Sequence, residues 1–237
     1  MATSYSICLV NNFEKKQRHY AATQITFQDT EEPPESYYNL DNQDFMETEI
    51  DNQLVTISSY NAYQDVKQNK HGKVFGRPFK WYLEPHEFKM YYIPGLQLMI
   101  FNCGKDTVNA FLAQMKEDRD SGFNCNKLEI DFRAVQPLLP MISGAWFAEL
   151  QKKKQYLKSA GLYGPQVDKS EEFKAAAEAG VISSLIFPYK FRGQEILLGI
   201  TRNGAVVFYN RLKNPITKQH DLISEINVTL ELHRKFL

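Results

Sequence analysis

The chain has 237 residues, 43% of them hydrophobic and 24% charged, with 16 Phe and 13 Tyr; this is a globular composition with ample material for a core, enough for one large domain or two small ones. Met1–Val10 lacks the basic start and apolar stretch of a secretory signal, and the longest apolar runs, such as Leu96–Phe101, fall far short of a bilayer, so the expectation is a soluble, cytoplasmic protein. The formal charge is zero, 28 Lys/Arg against 28 Asp/Glu, yet residues 1–72 hold 5 basic and 11 acidic side chains while residues 73–237 hold 23 and 17, an asymmetry that concerns partners or self-contact rather than fold.

Residues 4–10 (SYSICLV) predict a strand, and residues 20–27 (YAATQITF) its antiparallel partner, because Ile25 and Phe27 alternate with Thr26. Nine acidic residues and no basic one then lie between Asp29 and Asp51: Asp29, Glu31, Glu32, Glu35, Asp41, Asp44, Glu47, Glu49 and Asp51. With Pro33-Pro34 and few aliphatics, this block predicts a solvated loop. Its anchors, Tyr37, Tyr38, Leu40 and Phe45, alternatively suit an acidic arm docked on a basic surface, where it would compete with an anionic partner. Residues 53–60 read as a strand and 64–73 as a polar linker. The linker separates an N-terminal β-rich part, 1–66 with its acidic loop 29–51, from an α+β part, 74–237, unless the two share one continuous domain.

Pro78, Pro85 and Pro94 punctuate the next segment into strands and turns, with Leu96–Asn102 its clearest strand and Glu84–Glu87 a surface turn. Asp106 is placed to cap a helix over 107–118 that buries Val108, Phe111, Leu112 and Met115. Residues 127–133 (KLEIDFR) alternate as a strand with one wet face. A helix is expected over 145–160, with Trp146, Phe147, Leu150 and Leu157 inward and Gly161 as its stop. Asp168-x-x-Glu171 reads as a capping box for a helix over 169–179 closed by Gly180. Three short strands joined at Arg192-Gly193 and Asn203-Gly204 form a meander, the Asn-Gly pair favouring a type I′ turn. A final helix capped by Thr217 runs to about 235. The order predicts an α+β fold, mainly antiparallel sheet with about four helices, ending in a three-strand meander and a terminal helix.

Basic and aromatic residues interleave over 73–92 and again over 189–213. Cations that neutralise phosphates beside rings that stack on bases are what single-stranded nucleic acid needs. The expected contacts are Lys80, Trp81 and Tyr82 from the first stretch, and Tyr189, Arg192, Arg202, Arg211 and Lys213 from the second. An acidic protein surface fits the same features, as does an oligomer interface built on the aromatics. Alternation in any half-buried sheet also writes such text, with rings inward and cations outward. A second chemistry is metal-dependent phosphoryl transfer by Glu129 and Asp131, two apart on the predicted 127–133 strand and so on one face; Lys127 and Arg133 flank them as salt-bridge partners. Cys8, Cys103 and Cys125 lack the spacing of a zinc site and are expected as reduced thiols, although Cys103 sits where a helix dipole would favour a thiolate. No phosphate loop, nucleophile elbow or paired-histidine zinc motif is present, so no cofactor or metal is assigned. The reading is a non-enzymatic binding or assembly protein that meets an anionic partner through a basic-aromatic sheet surface.

Overall fold

The computed structural model describes residues 2–21, 34–50, 53–150 and 158–236. The chain divides into two compact units, Ser6–Asn126 and a second formed by Met1–Tyr5 with Lys127–Leu237. Among the described residues the fold is α+β, with four α-helices and mainly antiparallel sheet.

In the 6–126 unit, strands β1 (Thr3–Phe13, of which Ser6 onward belongs to this unit), β2 (Arg18–Tyr20), β3 (Ser36–Ile50), β4 (Gln53–Gln68), β7 (Tyr82–Ile93) and β8 (Leu98–Asn102) order as β1-β8-β7-β4-β3-β2. Strands β5 (Gly72–Val74) and β6 (Arg77–Phe79) pair apart as a small hairpin, and β9 (Phe123–Lys127) adds to β1. Helix α1 (Lys105–Glu117) closes one face of the sheet. Its apolar residues Val108, Phe111 and Met115 are buried with Tyr38, Tyr60, Ala62, Phe88, Met90 and Phe101 of the strands, and Leu112 packs at the margin. The helix starts at Gly104, which supplies no side-chain cap; Asp106 lies inside the first turn, where its charge meets the positive end of the dipole instead.

The acidic block is the largest departure from expectation. Asp29, Glu31, Glu32 and Asp51 lie outside the described residues, as does most of the 20–27 strand, but Ser36–Ile50 is a strand and not a loop. It pairs with β4 along its length, slipping register between Leu40 and Phe45. Two-sided chemistry explains it. Tyr38 is fully buried against Phe13, Tyr60 and Phe123, while Glu47 and Glu49 alternate outward into solvent. Charges on the wet face of a strand cost little, and they protect an edge from mispairing. Residues 64–68, expected in a linker, continue β4, and Glu84–Glu87 lies within β7.

In the other unit, α2 (Phe132–Val135), β10 (Gly144–Ala148), β11 (Ala160–Tyr163), α3 (Glu171–Ala179), β12 (Val181–Phe191), β13 (Gln194–Thr201), β14 (Ala205–Phe208) and α4 (Leu222–Phe236) follow in order. The sheet runs β11-β10-β12-β13-β14, and Phe208 of β14 meets Tyr5 edge-on at 5.6 Å. The meander forms as expected, with the turn chemistry exchanged: Arg192 and Gly193 both take positive φ (47° and 82°), whereas only Gly204 does so in the three-residue Arg202–Gly204 loop (74°).

Four local assignments change. Residues 128–131 are irregular rather than a strand; Leu128, Ile130 and Phe132 are buried as the alternation implied, but Asp131 turns the chain into α2 by accepting the Arg133 N–H at 2.9 Å. The helix expected over 145–160 begins as strand β10, where Ala145 and Phe147 are buried and Trp146 faces out; Leu157 and residues 151–156 lie outside the described residues. Period 2 was hidden there because both Trp146 and Phe147 are aromatic. Gly161 is a β11 residue whose missing side chain makes room for the Trp146 ring, whose atoms would stand 3.3 Å from a Cβ. Helix α3 is capped by Ser170, which accepts the Phe173 N–H at 3.1 Å, and α4 by Asp221, which accepts the Ser224 N–H at 3.0 Å; Asp168 and Thr217 lie too early in the chain to do so.

Helix α4 is buried on most of its surface, Glu225 to Leu230 without exception. His233 lies near its end with both ring nitrogens buried and no hydrogen-bond partner among the described residues. Burial, aided by Arg234, holds its pKa below the usual 6.5. The unfolded state therefore takes up a proton before the folded state does, and stability is full above pH 6.5 and falls as the pH drops below it. Thermal melts of the wild type and His233→Leu across that window check this: the variant loses the slope contributed by this ring, and equal slopes in the two proteins refute it.

Candidate nucleic-acid interface

The first basic-aromatic stretch folds into a finger and a cleft. Strands β5 and β6 are joined by Phe75-Gly76, both with positive φ (48° and 78°), the mirror-image turn that a two-residue hairpin requires. Glycine accepts that conformation freely; phenylalanine does not. Phe75 nonetheless occupies the tip, at 102% relative exposure. The hairpin is pinned at its open end by Phe79, whose ring covers Gly72 so closely that a Cβ there would fall 2.4 Å from Cζ.

Behind the tip, Phe75, Arg77, Pro78, Phe79, Trp81 and Tyr82 line a cleft of about 990 Å³. Phe79 and Tyr82 meet edge-to-face at 6.1 Å. Lys67 Nζ stands 4.0 Å from the Trp81 ring centre and Lys70 Nζ 6.0 Å from that of Tyr82, so the rings are held by cations while Trp81 and Tyr82 stay half-exposed. From Val66 to Leu83 the chain carries Lys67, Lys70, Lys73, Arg77 and Lys80 and no carboxylate. Lys80 is exposed. Lys80, Trp81 and Tyr82 thus fall together, and the hairpin adds Phe75, Arg77 and Phe79 to them. The Phe-Gly turn between Val74 and Arg77 was the signal for that hairpin. Further along the stretch the rings turn inward: Tyr91 is 2% exposed, and Tyr92 packs on Phe13 at 4.9 Å. Lys89 meets Asp41, so the acidic segment touches the basic one within this unit.

The second group is dispersed within the 127–237 unit. Arg192 and Arg202 sit at opposite ends of β13, an eight-residue strand spanning roughly 26 Å. Arg192 lies on the Phe191 ring at 5.1 Å. Arg202 grips Glu129 Oε1 through Nε at 3.0 Å and Nη2 at 2.6 Å. Tyr189 is bonded to Glu231, and that bond together with burial raises its pKa, burial contributing most. Arg211 and Lys213 are exposed near the Arg192 end, where the Lys213 backbone exchanges hydrogen bonds with the Gln194 amide.

Glu129 and Asp131 are each engaged, one by Arg202 and the other as the cap of α2. They stand on an irregular segment, so no strand face brings them together. Among the described residues no cluster of three His, Cys, Asp or Glu side chains is arranged to hold a metal ion. The three cysteines are free thiols. Burial, with Cys8 nearby, pushes the Cys103 thiol from 9.0 up to about 12 and raises Cys125 in the same direction. A helix dipole, worth about 0.3–1 kcal/mol, changes thiolate content less than tenfold, so burial outweighs it.

Comparison with models of known protein families and with curated proteins gives no match. Among the described residues no helix is long and apolar enough to cross a membrane.

Proposed function

We propose that this chain is a non-enzymatic binding protein that holds a single-stranded nucleic acid in the cleft around Trp81. One observation supports the reading above others: ring surface from Phe75, Phe79, Trp81 and Tyr82 is gathered in one cleft whose chain segment bears five cations and no carboxylate. Unpaired bases stack on such rings, worth about 1–3 kcal/mol each, while the cations neutralise phosphates. A duplex keeps its base faces to itself and has less use for Phe75. An acidic protein surface would use the cations but not the rings. A cytoplasmic setting, in which three free cysteines stay reduced, agrees with the proposal.

Fluorescence anisotropy of labelled oligo(U) and oligo(dT) over a salt series tests it. Affinity is expected to fall log-linearly with salt, Lys80→Ala to reduce the slope by about 0.7, and Trp81→Ala to weaken binding roughly tenfold. Phe75→Ala changes a fully exposed ring, so a loss there reports contact rather than folding. Salt-independent binding, or affinity unchanged in both Trp81→Ala and Phe75→Ala, overturns the proposal.

A further inference from the structure

A second cleft stands on the sheet face that α1 leaves uncovered. Side chains alternate along strands. Since Tyr38, Tyr60, Ala62, Phe88 and Phe101 point into the α1 core, their odd-numbered neighbours on β3, β4 and β7 point the other way. Strand registers align these neighbours in two rows. Tyr20, Tyr37, Tyr63 and Glu87 form one, and Arg18, Asn39, Asn61, Lys89 and Asn102 form the next. Between them is a cleft of about 580 Å³ whose lining includes Tyr37, Asn39, Asn61, Glu87, Lys89 and Asn102, inside the range of about 300–1,000 Å³ typical of small-ligand sites.

Part of the lining is held in place by contacts within the protein. The Tyr37 and Tyr63 rings are parallel within 7° at 5.0 Å, and Tyr63 donates to Asp65 at 2.7 Å. Lys89 and Asn61 both converge on Asp41, Asn61 at 3.3 Å. The Lys89 charge is therefore balanced by Asp41, and Glu87 offsets Arg18 at the end of the second row, which leaves this face without a positive surplus. Among the described residues the side-chain amides of Asn39 and Asn102 make no hydrogen bond. They flank the Asn61–Lys89 pair in the same row, each offering two donors and an acceptor.

We infer that this face binds a neutral saccharide. Paired hydroxyls on adjacent carbons both donate and accept, which matches an amide on either side of a lysine–carboxylate centre. An anion gains little from a lysine already neutralised, and the pull of Arg18 at the end of the row is offset by repulsion from Glu87. An apolar ligand would strip water from two amides and return no hydrogen bond. The site is separate from the Trp81 cleft and does not depend on it.

The side-chain amide signals of asparagine in a ¹⁵N-labelled sample of the full chain report on it directly. Maltotriose, cellotriose and chitotriose are the probes, titrated to millimolar levels beside oligo(U) and an acidic peptide. The inference requires at least one trisaccharide to shift the Asn39 and Asn102 amide signals, with little dependence on salt, and the affinity to drop roughly tenfold in Asn39→Ala and in Asn102→Ala. Retained backbone dispersion shows that the variants fold; Asn102→Ser repeats the measurement if one does not. It is overturned if no trisaccharide moves those amides, if both variants bind as wild type does, or if oligo(U) or the peptide alone moves them. Because Trp81→Ala is expected to weaken binding only at the other cleft, failure of one proposal is separable from failure of the other.

Discussion

Phe111→Ala lowers the unfolding free energy by roughly 3–5 kcal/mol, the range for deleting a buried phenyl ring. Phe111 is fully buried on α1. Its ring meets Phe88 of β7 at 5.5 Å, Phe101 of β8 at 6.0 Å and Phe123 of β9 at 5.7 Å. One side chain therefore fastens the helix to three strands. The edge-to-face geometry leaves those rings few ways to collapse into the vacated space, which places the cost toward the upper end. A domain of this size has about 5–15 kcal/mol in all, so the loss is a large part of the total. Phe111→Leu, which keeps most of the volume, is expected to cost less than half as much. Urea denaturation of the two variants measures both. A Phe111→Ala loss under about 1 kcal/mol would show that α1 is not held by this cluster.

Glu225→Ala has a comparable effect by a different route. Glu225 is fully buried. Its Oε2 accepts the Tyr5 hydroxyl at 2.6 Å and lies 3.0 Å from His220 Nε2, and its Oε1 accepts the Leu212 N–H at 3.2 Å. A carboxylate withdrawn from water persists only because these groups replace its hydration. Truncation leaves a phenol, a backbone amide and an imidazole facing an empty space, and breaking a buried charge network of this kind costs about 3–5 kcal/mol. Glu225→Gln keeps an acceptor and is expected to lose less. A double-mutant cycle with Tyr5→Phe isolates the phenol contact, for which about 1.5–3 kcal/mol of coupling is expected since the acceptor is charged. Additive single-variant losses would mean that the two groups do not depend on each other.

Much of this architecture can be read directly from residue patterns. The meander is legible because β12, β13 and β14 are dense in β-branched and aliphatic residues and are separated by short turns that end in Gly193 and Gly204. Helix α1 is legible because Val108, Phe111 and Met115 repeat at helical spacing. In the acidic block, strand pairing outweighs composition. The acidic block contains few aliphatics, but a long neighbour in β4 satisfies its backbone, and a single inward tyrosine, Tyr38, anchors it to the core. Residues 127–133 alternate because the buried residues alternate, even though the backbone between Leu128 and Asp131 is irregular. The proposed interface is half legible. Lys80, Trp81 and Tyr82 adjoin in the chain, so proximity in sequence becomes proximity in space. Arg192 and Arg202 also look close, ten positions apart, yet a strand intervenes and carries them to opposite ends. No local pattern could announce the Asn39–Asn61–Lys89–Asn102 row, because it exists only across four strands whose registers are set by tertiary pairing.

Tyr5 and Glu225 are joined across 220 positions. At about 5–20 residues per second, a ribosome needs roughly 10–40 s to travel between them. During that interval residues 6–126, which are contiguous, emerge complete and can acquire their structure, whereas the opening segment must wait for a helix not yet translated. The buried carboxylate is thus a late checkpoint in biogenesis: until it arrives, a tyrosine and a half-finished strand remain open to chaperones, proteases or neighbouring nascent chains.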